Sequence, residues 1–73
     1  MDEEHWDAGE MGCGELILKL RVRMNKMPPG SVLRLTALDT GAIADIPAWC
    51  SMTKHRLLCA KHPDYWIGRR DHD

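Results

Sequence analysis

The stretch EMGCGELILKLRVRM, Glu10 to Met24, constrains the fold most, because it carries two incompatible readings. From Leu16 every second residue is apolar (Leu16, Leu18, Leu20, Val22, Met24), and charged Lys19, Arg21 and Arg23 fill the positions between. That is the pattern of a half-buried strand. Yet the stretch opens with a cysteine between two glycines, followed at once by Glu15, which reads as the start of a helix. As a strand it leaves one helix to cover a five-stranded sheet. As a helix it gives the order strand, helix, strand, helix, strand, strand. Period alone does not choose.

The rest of the chain favours the second arrangement. EEHWDA reads as a short first strand, and NKMPPGS (Asn25 to Ser31) is a firm break, since two prolines and a glycine forbid continued helix or central strand. VLRLTAL, Val32 to Leu38, is β-branched and apolar and reads as a buried strand. DTG follows as a turn, with a helix cap at Asp39 or Thr40. Ile43, Ile46, Cys50 and the weaker Thr53 then recur at helical spacing, with Trp49 on the flank. Pro47 removes one backbone donor, so it predicts an irregular first turn or a late helix start. HRLLCAK and YWIGRR read as two strands of a hairpin joined by the turn His62 to Asp64. Two crossovers of the parallel type suit these connection lengths. The expected architecture is an α/β (α+β) two-layer sandwich, βαβαββ, with two helices on one face of a mixed four-stranded sheet.

At 73 residues the chain is expected to be one domain, residues 1–73, with 1–4 and 71–73 as disordered tails. A single core of this size leaves a thin stability margin. Three cysteines are an odd number and too few for a disulfide framework. MDEEHWDAGE is acidic and lacks the apolar core of a signal peptide, and no apolar run approaches a membrane span. These features predict a soluble, monomeric protein of a reducing cytoplasm with free thiols. A net charge of −1 gives no general attraction to nucleic acid, and no interleaved aromatic and basic residues offer a stacking platform. On a helix, Lys19, Arg23 and Lys26 make a basic stripe, either a solvated outer face or a docking patch for an acidic partner.

Three segments, in order, resemble the TusA/SirA/YedF-like sulfur-carrier family. WDAGEMGCGEL resembles its first strand and cysteine box, and MPPGSVLRLTALD its following loop and second strand. DIPAWCSMTKHRLL is similar to its second helix and exit, with Asp45, Ile46, Pro47, Trp49, Cys50 and His55 in matching places. The likeness covers roughly Trp6 to Leu58. It implies the βαβαββ sandwich, with the opening stretch as a helix and its cysteine at the helix start. The inner stripe is then Ile17, Leu20, Met24 and Met27, widened by Leu16, with Arg23 and Lys26 outward. The resemblance also implies a function. Cys13 accepts sulfane sulfur as a persulfide from a cysteine desulfurase or rhodanese-like donor and passes it to an acceptor protein. No cofactor and no metal are expected. In one respect the chain departs from the family: the usual Cys-Pro-x-Pro box is here Cys13-Gly14-Glu15-Leu16. Gly14 loosens that turn by roughly 0.5–1 kcal/mol of backbone entropy relative to alanine.

Sulfur transfer needs a thiolate that attacks a sulfane sulfur. At a helix N-terminus Cys13 gains from free N–H groups and the positive end of the dipole, while Asp7, Glu10 and Glu15 oppose its ionisation. The expectation is an accessible, moderately reactive thiol. Cys50 is expected to pack in the core, and Cys59 to line the sheet on the same face as Leu57. Cys59 and His62 have a Cys-x2-His spacing, but no second pair completes a zinc set. His55 is expected to close a turn. Two other readings stand beside the carrier: a non-catalytic interaction or regulatory module that lost its prolines, and a redox sensor pairing Cys13 with Cys50 or Cys59.

Overall fold

The computed structural model describes residues 3–71. The elements run β1 (Glu3–Gly9), α1 (Cys13–Lys26), β2 (Val32–Ala37), α2 (Ala42–Thr53), β3 (Arg56–Lys61) and β4 (Asp64–Gly68). The sheet order is β1-β2-β4-β3, with β1 parallel to β2 and the other pairs antiparallel. This is the expected βαβαββ arrangement. Glu3 and Glu4 belong to β1, paired with Val32 and Leu33, rather than to a tail. Of the expected tails, residues 1–2 and 72–73 lie outside the described residues, and Asp71 is exposed.

The opening stretch is helical because its buried set is spaced by four: Leu16, Leu20 and Met24, continued by Met27 beyond the last turn. Leu16, expected to widen the face, is fully buried, whereas Ile17 is only partly covered at its edge. The exposed Leu18 and Val22 supply the false alternation. Each fully buried leucine contributes about 1.5–3 kcal/mol. Opposite them β2 presents Leu33, Leu35 and Ala37, and β4 presents Tyr65 and Ile67, all buried and register-paired as Leu33 with Ile67 and Leu35 with Tyr65.

In α2 the stripe is rotated from the expected one. Ala42, Ile46, Trp49 and Cys50 are buried, while Ile43 is 54% exposed. Trp49 is the larger apolar surface and takes the core position, which turns Ile43 outward. The first turn is tightened by bonds from the N–H groups of Ala42, Ile43 and Ala44 to the carbonyls three residues back, the irregularity that Pro47 predicts. Lys54, in the left-handed conformation at φ 68°, ends the helix.

The β3–β4 ladder slips between Leu57 and Cys59. Leu57 pairs with Ile67 and packs on the core, whereas Cys59 pairs with Trp66 on the sheet face away from the helices. The bulge therefore overturns the expectation that Cys59 shares a face with Leu57.

His55 does close the turn between α2 and β3. It is buried, stacks on Trp49 at 5.3 Å, and its Nδ1 accepts the Arg70 N–H at 3.1 Å. Burial, then the charges of Arg70 and Arg69, hold its pKa below the ordinary 6.5. A depressed pKa means the unfolded chain binds the proton more readily, so stability is present above 6.5 and is lost as pH falls through the folded value. Urea midpoints should accordingly fall between pH 7.5 and 5.5 in the wild type. His55→Asn, whose side-chain oxygen can still accept the Arg70 N–H, should flatten that dependence.

Candidate functional site

β1 ends in a register shift after Asp7 and a positive-φ glycine, Gly9 at φ 58°. The Gly9 N–H bonds Asp7 Oδ1 at 2.9 Å and the Met11 N–H bonds the Ala8 carbonyl at 3.2 Å, turning the chain into α1. Gly12 flanks the helix without a side-chain cap. The cap comes instead from a distant loop: the backbone N–H of Cys13, the first helical residue, bonds Asp39 Oδ2 at 3.2 Å. Asp39 Oδ1 accepts the Gly41 N–H at 3.1 Å at the start of α2. One carboxylate therefore holds the first turns of both helices, as negative charge at helix N-termini favours.

Cys13 is partly exposed, and its side chain lies in the angle between the two helix starts. The carboxylates of Asp45, in the first turn of α2, and of Asp39 face the thiol as acceptors. Loss of hydration first, and then these two acids, push the Cys13 thiol up to about 11. The acids governing the thiol are thus Asp39 and Asp45, not Asp7, Glu10 and Glu15, and the resting thiol is protonated at neutral pH rather than moderately activated. The Gly41 N–H, followed by Cys13, holds Asp39 below the usual carboxylate range. Burial, and then the nearby Cys13, raise the pKa of Tyr65, whose hydroxyl is 2.6 Å from His62 Nδ1. The sequence offered no route to Asp39: it stands 26 residues from Cys13, and only its Asp-Thr-Gly turn signal marked it as a cap.

The box departure has a structural account. Leu16, at the second proline position, is fully buried in the core. Gly14, at the first, faces open space, with nothing within 4 Å of the place a Cβ would take. The missing prolines neither prevent α1 from starting at Cys13 nor leave a gap.

Cys50 is 3% exposed in the core, and burial pushes its thiol up to about 11. Cys13 lies against Gly41 at one end of α2, and Cys50 is near the other end, about 13 Å further along the axis. Cys59 lies across the sheet from the helices. Neither position suits a resolving thiol, so the geometry does not favour the redox-sensor reading.

Lys19, Arg23 and Lys26 share one face of α1 and border an open groove of about 640 Å³ between that helix and edge strand β1. Its apolar lining is Trp6, Met11, Leu18, Val22 and Met27. Arg23 lies over the Trp6 ring, 5.1 Å from its centroid, and 3.7 Å from Glu4. Lys19 is 3.5 Å from Glu15 in an exposed pair of little energetic weight.

Residues 5–69 match the family model described as Sulfurtransferase TusA. The chain belongs to the TusA family. It is 28% identical to the sulfur carrier protein TusA of Pseudomonas syringae pv. tomato, over 88% of this chain and 81% of that protein. It is 31% identical to TusA of Pseudomonas fluorescens over 86% of this chain and 81% of that one. A putative sulfur carrier protein of Neisseria meningitidis serogroup A is 36% identical over 88% and 86% of the two chains. Among the described residues no helix is long and apolar enough to cross a membrane.

The three thiols should separate in native-state alkylation at pH 7.5, read by peptide mass spectrometry. Cys59, partly exposed, should react first. Cys13 should react slowly despite its exposure, and Cys50 only once the protein unfolds.

Proposed function

We propose that this chain is a sulfur relay in which Cys13 carries one sulfane sulfur as a persulfide between two partner proteins. The supporting observation is the placement of Cys13: a partly exposed thiol at the start of α1, beside the N-terminus of α2, in a TusA-family chain. Written for a donor R, the loading step is Cys13–SH + R–S–SH giving Cys13–S–SH + R–SH. The Cys13 sulfur attacks the outer sulfur of the donor, the donor's S–S bond breaks, and the thiol proton ends on the leaving R–S⁻. No net oxidation occurs and no cofactor is required. Delivery is the same exchange run against an acceptor thiol.

Because the resting thiol is protonated, the donor must help to ionise it, and a cysteine desulfurase or rhodanese-like protein would supply that environment at the meeting surface. Lys19, Arg23 and Lys26, above the apolar groove, suit docking of a partner surface that is acidic at its rim and apolar at its centre. Gly14 and Leu16 favour a second reading, an interaction module that kept the fold without the chemistry.

The deciding experiment incubates reduced protein with a desulfurase and cysteine and follows the intact mass. The carrier reading expects one added sulfur, lost in Cys13→Ser. If several donors leave the mass unchanged while partner binding survives Cys13→Ser, the module reading replaces it. Charge reversal of Lys19, Arg23 and Lys26 together should slow loading several-fold at low salt, with the difference shrinking as ionic strength rises.

A further inference from the structure

Gly41 occupies a backbone conformation open to any residue, φ −60° and ψ −24°, in the right-handed helical region. Conformational freedom therefore does not require a glycine there, although at the N-cap of a helix glycine is preferred to alanine. Space adds a second reason. A Cβ at Gly41 would stand 3.0 Å from Cys13 Sγ, closer than two such atoms normally approach. The same test at Gly12 and Gly14, which flank the cysteine in sequence, meets nothing within 4 Å. The crowding comes from a residue 28 positions away, at the N-cap of the other helix.

We propose that Gly41 and Asp39 are positioning residues for the chemistry of Cys13: the bare Cα of Gly41 is the seat against which the sulfur rests, and Asp39 fixes that seat by accepting the N–H of Cys13 and the N–H of Gly41 together. This deepens the sulfur-relay reading, but its evidence is the seat itself. The seat fixes the direction of the side chain. Sγ already lies against α2, and an added sulfur sits about 2 Å beyond it. With α2 blocking one side, the open side is left for that outer atom, where a partner can take it. In the unloaded carrier the same seat holds the thiol toward Asp39 and Asp45, and the more distant titratable groups that feel this cluster are Tyr65 and His62. Glu15, from the first turn of α1, pairs with Lys19 instead.

Gly41→Ala tests the seat, and Gly14→Ala is its control, since both add one methyl group at a helix start but only the former meets the sulfur. The readout is the rate of Cys13 alkylation by iodoacetamide against pH, resolved from Cys59 by peptide mapping, with the thermal midpoint of each variant. Gly41→Ala should lower the pH midpoint of alkylation by at least one unit, so that the rate at pH 8 rises about tenfold, with a modest fall in the thermal midpoint from the loss of an N-cap glycine. Gly14→Ala should leave the pH midpoint unchanged. Asp39→Asn, which removes the charge and keeps an acceptor for only one of the two N–H groups, should also lower it, and it carries the test if Gly41→Ala does not fold. A pH midpoint in Gly41→Ala or Asp39→Asn equal to that of the wild type would overturn the proposal. A shifted midpoint in a protein whose wild type takes no sulfur from any donor would leave the seat standing and remove the relay.

Discussion

The carboxylate of Asp39 is the constraint around which the functional end of this molecule is arranged. It lies between two helices that begin without side-chain caps of their own, and each of its oxygens accepts one backbone N–H, from Cys13 on one side and Gly41 on the other. Two helix starts that would otherwise expose unpaired donors share one negative group. The arrangement has a chemical cost. The charge that stabilises the helix ends lies beside the thiol and, with Asp45, opposes its ionisation. The positive dipole ends and the carboxylates act on one sulfur with opposite sign, and the carboxylates, added to lost hydration, prevail.

A protonated thiol at a partly exposed position suits the proposed relay, in which the thiol should react only with its partners. Thiolates are the form that oxidises and exchanges indiscriminately, so suppressing the thiolate until a partner arrives favours selectivity over speed. The surface is organised along α1 in the same sense. Its N-terminal end is acidic, with Glu15, Asp39 and Asp45, and its later turns are basic, with Lys19, Arg23 and Lys26 beside an apolar groove. A partner of matching polarity, as the proposed relay requires, would be oriented by this gradient before any bond is made.

Much of the fold was legible in the sequence because its strongest signals are local. The Pro28-Pro29-Gly30 break, the apolar run of β2 and the hairpin about His62 and Pro63 all stand where their residues predict. The misreadings arose where a tertiary contact decides between neighbouring residues. Leu16 rather than Ile17 fills the core because the angle of α1 against the sheet is set by packing, and Trp49 displaces Ile43 from the buried stripe for the same reason. A bulge of one residue sent Cys59 to the opposite face from Leu57, which strict alternation cannot anticipate. At the site, Cys13 and the start of α1 were readable from the glycines and the family likeness. Asp39, Gly41 and Asp45 were not, because a loop 26 residues away comes beside Cys13 only after β2 has paired between β1 and β4.

The three tryptophans happen to sample three different surfaces. Trp6 lies under Arg23 in the groove beside α1, Trp49 is in the core against His55, and Trp66 lies with Arg34 on the face of the sheet without helices. With no phenylalanine and a single tyrosine, nearly all of the intrinsic ultraviolet emission comes from these three indoles. The molecule thereby carries its own optical labels. A ligand entering the groove perturbs one, loosening of the core perturbs another, and a protein covering the bare sheet perturbs the third. Single-tryptophan versions would tell these events apart without an attached dye.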